Sequence, residues 1–181
     1  MNNMSQVWSE INKVVNVLDI GATGHSSTAS GVMDTDIVHL ENYKKLTYLI
    51  TLGSTAADNT PTVTVYAGET NTGATAVIPF KYRTQITGTG GTSGTTGSDV
   101  SSTMSDTTGD GFAFTTANNG GMYIVEVDPS TVAAADTTDQ TYDHVKLRFT
   151  NASSATAQYY SCLAVLSEPR YPQAILQTAI D

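Results

Sequence analysis

The chain has 181 residues, of which 39% are hydrophobic and 14% are charged, and its formal net charge is −9. Globular proteins are usually about a quarter charged, so hydroxyl and amide groups must supply most of the polar surface here. Threonine, a β-branched residue suited to half-exposed strands, makes up about a sixth of the chain. Eight basic residues against seventeen acidic ones argue against binding to nucleic acid or to an anionic membrane, because both need clustered cations.

The cysteine content and the hydropathy of the sequence exclude further classes of protein. The single cysteine, Cys162, rules out a disulfide scaffold and a multi-cysteine zinc site, and its apolar surroundings predict a core thiol. No apolar stretch approaches the ~20 residues of a membrane helix, and the first residues lack the features of a signal peptide. We therefore expect a protein that is made in the cytoplasm and not secreted by the general route.

The first third of the chain begins with an ambiguous segment. Residues 5–18 place apolar side chains on one helical face, with Ser5 as a possible N-cap, but the β-branched run at 14–17 favours a strand over 13–19. A polar loop follows at 21–33.

Clearer strand patterns follow, with apolar and polar residues in alternation. Leu46–Leu52 alternates with Leu46, Tyr48, Ile50 and Leu52 on one face, and Thr62–Tyr66 points Val63 and Val65 inward. Further strands are predicted at 37–40, 78–86, 112–115, 122–128, 144–150 and 158–166. In the 144–150 strand the apolar residues point one way and the cations the other, and the segment 159–166, apolar on both faces, predicts an interior strand.

Eight to ten short strands separated by turn residues predict an all-β fold, a single-domain, jelly-roll-like β-sandwich with extended N- and C-terminal arms. We expect an N-terminal arm and polar loop at 1–35, the sandwich at 36–167 and a C-terminal arm at 168–181. The stretch 87–110 is rich in Gly, Ser and Thr and is predicted to be a long loop inside the domain. Two alternatives stay open for this loop: it contacts a partner, or it is flexible.

No arrangement of residues indicates catalysis or a cofactor. The three histidines, His25, His39 and His144, are far apart in sequence. Asp34 and Asp36 with His39 are the one local metal candidate, and 106–110 only superficially resembles a calcium loop. No phosphate loop or nucleophile elbow occurs. We therefore expect no metal, no cofactor and no enzymatic activity.

Aromatic content leaves a binding role open. Four tyrosines could form a platform on which sugars stack, although packing in the sandwich or at subunit contacts is the simpler expectation. They are Tyr43, Tyr82, Tyr159 and Tyr171.

Several segments, in order from about residue 36 to 172, resemble small structural proteins of tailed bacteriophages, the head decoration or minor virion proteins. The resembling segments are LENYKKLT at 40–47, IPFKYR at 78–83, YIVEVD at 123–128, DHVKLRFT at 143–150 and LSEPRYP at 166–172. The resemblance implies a β-sandwich without catalytic residues, located on the virion and bound to the outer surface of the capsid as a decoration or cement protein.

Such a role implies the major capsid protein as partner and a homo-oligomer, for which a trimer at three-fold positions is the first expectation. Two alternatives stay open: a tail or neck protein of the virion, or a carbohydrate-binding module that attaches to host glycans. The expected contact residues lie in the two arms and among the few cations: Trp8, Arg148, Arg170, Tyr171, Ile175 and Leu176.

Overall fold

The computed structural model describes residues 8–18, 31–52, 61–85, 102–114, 121–137, 141–151, 160–170 and 179–180. In chain order these residues form α1 (Trp8–Ile11), β1 (Asn12–Leu18), β2 (Val32–Asp34), β3 (Val38–His39), β4 (Tyr43–Leu52), β5 (Thr62–Gly68), β6 (Ala76–Ile78), β7 (Lys81–Gln85), β8 (Ser105–Asp106), β9 (Phe112–Ala113), β10 (Met122–Val127), α2 (Pro129–Ala134), β11 (His144–Thr150) and β12 (Tyr160–Pro169).

The described strands form two antiparallel sheets that pack face to face, and the predicted all-β sandwich is confirmed. The first sheet has the order β1-β12-β4-β10-β7-β8, and the second has the order β2-β11-β5-β6, with β3 also pairing with β11 and β9 with β5. Side chains from both sheets join in one buried core. The predicted interior position of the 159–166 segment is also confirmed, because β12 lies between β1 and β4, and Cys162 is fully buried.

The alternating patterns determine which side chains fill this core. On β4 the residues at positions 46, 48, 50 and 52 are all buried, and on β5 Val63 and Val65 are buried, because successive side chains of a strand point to opposite faces. On β11 the apolar residues Val145, Leu147 and Phe149 are likewise buried.

The strand predicted at 78–86 is interrupted. Its first residues belong to β6 in the second sheet and its last to β7 in the first sheet, so the chain changes sheets at Pro79 and Phe80. Proline lacks the N–H group that a continuous ladder requires. Thr107 holds the crossing, because its backbone N–H donates to the Phe80 carbonyl at 2.9 Å and its hydroxyl accepts from the Phe80 N–H at 3.0 Å.

Two short helices complete the fold of the described residues. The ambiguous segment at 5–18 contains both predicted elements in part, since α1 occupies 8–11 and β1 occupies 12–18. The sequence analysis did not predict α2. Its signal is a proline at the start of the helix, preceded by Asp128, whose carboxylate accepts from the Ser130 N–H at 2.8 Å as an N-cap.

The predicted division into arms and sandwich needs correction at both ends. β1 pairs with β12 and β2 pairs with β11, so strands of both sheets lie before residue 36. At the other end β12 continues to Pro169. Ala179 is buried in the core, and its carbonyl accepts from the His39 N–H at 2.9 Å. Both terminal regions thus contribute to the sandwich of their own chain. Within the predicted loop 87–110, residues 105–106 form β8, and 87–101 lie outside the described residues.

Candidate functional site

The outward side of the first sheet carries a band of apolar side chains, which we call the apolar face. It consists of Val14, Leu49, Ile124, Leu163 and Val165. Leu163 lies opposite Leu49, which lies opposite Ile124, so one apolar row crosses three strands. Val14 is 43% exposed and Leu163 is 38% exposed. Contiguous apolar surface of this kind is typical of interaction sites.

Helix α1 extends the apolar surface at the start of β1. It contacts β12, and the Asn12 side chain donates from Nδ2 to the Trp8 carbonyl at 2.9 Å. The Trp8 side chain is 58% exposed and Ile11 is 37% exposed. Trp8, an expected contact residue, therefore has the accessibility that a contact requires, and exposed tryptophan is enriched at binding surfaces.

Charged side chains border the apolar face on its β10 and β7 side. Glu126 lies opposite Lys81, and Arg83 Nη2 lies 3.8 Å from Glu126 Oε1. Lys81 also pairs with Asp106 at 3.4 Å. Three basic residues of this acidic chain share the outward side of the first sheet: Lys45, Lys81 and Arg83. The apolar centre thus has a charged rim, the usual pattern of a protein interface.

A groove of about 490 Å³ lies at one end of this sheet. Lys44, Lys81, Glu126 and Asp128 contribute charged groups to its lining. Phe80 is the one aromatic residue in the described lining, and it is buried. The groove therefore offers polar contacts but no exposed ring on which a sugar could stack.

The outward side of the second sheet carries a cluster of charged groups, with the exposed side chains of Val32 and Val77 at its two edges. The guanidinium of Arg148 donates two hydrogen bonds to the Asp34 carboxylate, from Nε at 2.7 Å and from Nη2 at 2.8 Å. Lys146 Nζ donates to the same carboxylate at 2.8 Å. The hydrogen bond from Arg148 holds the pKa of Asp34 below its usual value. Arg148 also lies 4.6 Å from the centre of the Tyr66 ring, a cation–π distance.

These contacts change the interpretation of the expected contact residues. Arg148 is held by Asp34 and Tyr66 within its own chain, which reduces its availability to an acidic partner. Arg170 is exposed, its backbone N–H donates to the Asn42 carbonyl at 2.9 Å, and it lines a small hollow of about 150 Å³ beside Asp143. Tyr171, Ile175 and Leu176 lie outside the described residues.

Among the described residues, Asp34 and Asp106 do not join a metal cluster, whereas His39 meets His144 and Asp143 instead of Asp34. The Asp34 carboxylate accepts hydrogen bonds from the Lys146 and Arg148 side chains, and Asp106 pairs with Lys81. Tyr43 is buried, and the Tyr82 ring stacks on Phe112 at 4.0 Å, so these two tyrosines form no exposed platform. Tyr159 and Tyr171 lie outside the described residues.

Sequence reasoning did not predict the apolar face. Its signal was present in the segment 159–166, where the residues between the core positions are also apolar. That pattern was interpreted only as an interior position in the sheet. In the structure Ala164 and Leu166 are buried, whereas Leu163 and Val165 point outward and are partly exposed.

Comparisons with known proteins give little further guidance. No helix in the described part of the chain is long and apolar enough to cross a membrane. No family model matches the sequence, and no curated protein matches it. One similar solved chain belongs to "Structure of infectious bursal disease virus Gt strain", with 11% identity and a TM-score of 0.24. The match covers 86% of this chain and 36% of that chain, so this chain spans just over a third of its length.

Proposed function

We propose that this chain is a structural, non-catalytic protein of a tailed-bacteriophage particle, where it binds the outer surface of the head shell and stabilises it as a decoration or cement protein. The observation that carries the proposal is the contrast between the two outward sheet faces. On one face an apolar row crosses three strands beside charged groups, whereas on the other a paired cluster of charges separates two exposed valines, Val32 and Val77, at opposite edges of the sheet.

The apolar face supplies the docking surface. A stable protein interface buries about 800 Å² on each partner, with an apolar centre and a polar rim. Trp8, Val14 and Leu163 are exposed in the isolated chain, and covering them removes apolar area from water, which is favourable. The major capsid protein is the proposed partner.

The second sheet faces the medium in this arrangement. Its charged groups are Asp34, Lys146 and Arg148, which satisfy one another. A face whose charges are already paired gains little from a further partner, and the excess of acidic residues over the whole chain keeps separate particles apart.

Selective binding would stabilise the shell. A protein that binds the expanded shell and not its precursor shifts the equilibrium toward the expanded state by mass action. We propose a homo-oligomer, with a trimer at the three-fold positions of the shell. β1 is one of the two edge strands of the first sheet among the described residues, and an edge strand can pair with a strand of another chain.

Two valines offer a matched test of the docking face. Val14 on β1 is 43% exposed, and Val77 on β6 in the second sheet is 44% exposed. We expect Val14→Lys to weaken co-sedimentation of the protein with purified, undecorated shells by at least about tenfold, because ~1.4 kcal/mol lost from the interface has that effect. Val77→Lys should bind as the unsubstituted protein does. Equal binding by both variants would contradict docking through the apolar face.

The copy number on the particle tests the location. Quantitative mass spectrometry of purified virions should find this protein in a fixed ratio to the major capsid protein, with hundreds of copies, as symmetric sites on a shell require. About a dozen copies or fewer would instead indicate a neck or tail protein. Absence from virions would reject the virion role.

A further inference from the structure

Two histidines that are far apart in sequence meet at the end of the second sheet. His39 on β3 lies directly opposite His144 on β11. Their rings stack with centroids 4.4 Å apart and planes 12° from parallel. Cross-strand neighbours on one face of an antiparallel pair bring their side chains within a few ångströms, so the register of β3 and β11 places the two imidazoles side by side.

The Asp143 carboxylate contacts one nitrogen of each stacked ring. Its Oδ2 lies 3.0 Å from His39 Nε2, and its Oδ1 lies 2.5 Å from His144 Nδ1. One ligand atom from each of the three residues can be chosen so that all lie within 4.8 Å of one another. Two atoms bound to one ion at about 2.0–2.2 Å lie no more than about 4.4 Å apart, so binding an ion would draw the three groups slightly closer together.

A second carboxylate borders the cluster. Glu41 Oε2 lies 3.8 Å from His39 Nε2, and Glu41 is largely exposed. The side chains of His39, Asp143 and His144 are 21%, 25% and 10% exposed, so a small ion can reach them from solvent. Two carboxylates beside two imidazoles also supply the negative charge that a divalent cation neutralises.

We propose that His39, Asp143 and His144, with Glu41 as a fourth ligand, form a binding site for a divalent transition-metal cation, with Zn²⁺ as the best fit. Imidazole nitrogen and carboxylate oxygen are ligands that Zn²⁺ accepts, whereas Ca²⁺ and Mg²⁺ prefer oxygen alone. The set uses side chains from β3, the turn after β3, and the start of β11.

The proposed role of the cation is structural. It joins β3 to β11, and His39 is also the residue whose N–H binds the carbonyl of Ala179 near the chain end. A ligand that binds only the folded chain stabilises it by RT ln(1 + [L]/Kd), so the stabilisation grows with the logarithm of the ligand concentration above Kd. The site shares no residue with the apolar face, so a negative result for metal binding would leave the docking proposal unaffected.

Isothermal titration of the chelator-treated full-length protein with ZnCl₂ tests the site. We expect one Zn²⁺ per chain and a higher melting temperature in its presence. His144→Asn and Asp143→Asn should each weaken binding by at least about tenfold, since even outer-shell partners of a metal have effects of that size. Asp106→Asn, on β8 of the first sheet, serves as the matched control and should bind Zn²⁺ as the unsubstituted protein does.

Co²⁺ provides a second measurement on the unsubstituted protein, which does not depend on the folding of any variant. A Co²⁺ ion held by nitrogen and oxygen ligands in a four-coordinate site gives visible absorption that Zn²⁺ abolishes by displacement. No such absorption, no binding of Zn²⁺, or equal binding by the ligand variants and their control would overturn the proposal.

Discussion

The hydroxyl group of Tyr48, on β4 of the first sheet, donates a hydrogen bond to the backbone carbonyl of Val145, on β11 of the second sheet, over 3.1 Å. Both residues are fully buried. Burial raises the pKa of Tyr48 well above its usual value, because the charged phenolate would be far from water. A polar group inside the sandwich thus finds its partner across the two layers and helps to fix their relative position.

Replacing this tyrosine by phenylalanine should destabilise the fold. Tyr48→Phe removes the donor and keeps the ring, so we expect the free energy of unfolding to fall by about 1 kcal/mol. Tyr82→Phe is the control, because its ring contact with Phe112 is retained. Urea unfolding of both variants measures the difference. Coincident unfolding midpoints would show that the bond between the sheets contributes nothing measurable.

The strands with strict alternation were predictable because one face of each is buried. β4, β5 and β11 fall within one residue of their predicted bounds at most ends, and their inward residues are the predicted ones. Local pattern alone could not show that the chain changes sheets at Pro79. That choice depends on the remote contact between Phe80 and Thr107, which are 27 residues apart.

The candidate sites were harder to predict for the same reason. His39 and His144 become neighbours only through the pairing of β3 with β11, and Asp34 meets Arg148 through the pairing of β2 with β11. Single-sequence periodicity identifies strands but not their partners. Trp8, expected from the sequence to make contacts, is exposed, and its contact role stays a prediction, whereas finding the apolar face required the strand order of the first sheet.

Asp34 should contribute to stability through its two cationic partners. The Lys146 side chain is only 12% exposed, so removing the carboxylate leaves a largely buried cation unpaired. We expect Asp34→Asn to lower the free energy of unfolding by about 1–2 kcal/mol near neutral pH, between the values for surface pairs and for buried charged hydrogen bonds. Asp36→Asn, at an exposed position two residues along, should change it by less than about 0.5 kcal/mol.

The Asp34 carboxylate should also make the stability of the fold depend on pH in the acid range. The hydrogen bond from Arg148 lowers the pKa of Asp34 in the folded state below the ordinary value of 3.8. The unfolded chain therefore binds a proton first as the pH falls, and the stabilisation is present above 3.8 and is lost below it. Urea unfolding should show that the difference in free energy of unfolding between the unsubstituted protein and Asp34→Asn is smaller near pH 3 than at pH 6. A constant difference would contradict this assignment.

Two glycines near β9 provide a matched pair for testing backbone constraint. Both have positive φ, +102° at Gly109 and +79° at Gly111, so any side chain there is strained. A Cβ at Gly111 would also lie 2.0 Å from the Val63 carbonyl oxygen, whereas at Gly109 the nearest atom, Val77 Cγ1, is 3.7 Å away. We expect Gly109→Ala to lower the free energy of unfolding by about 1–2 kcal/mol. Gly111→Ala should lower it distinctly more. Equal melting temperatures for the two variants would contradict the close approach at Gly111.

Cys162 should make the fold sensitive to alkaline pH. Burial raises the pKa of its thiol well above the ordinary value of 9.0, so the folded chain keeps its proton where the unfolded chain loses it. Stability is then fully present below about pH 9 and is lost as the pH rises, with a slope that approaches about 1.4 kcal/mol per pH unit for one proton.

Cys162→Ala should remove this slope between pH 9 and 10, although the stability of the variant at neutral pH is lower because of the cavity. Above pH 10 the contribution of Tyr48, whose pKa is also raised by burial, should persist in both proteins. Urea unfolding across this range gives the slopes directly, and a thiol reagent should modify Cys162 only after unfolding. Rapid labelling of the native protein, or parallel slopes for the two proteins below pH 10, would mean that water reaches the thiol in the folded state.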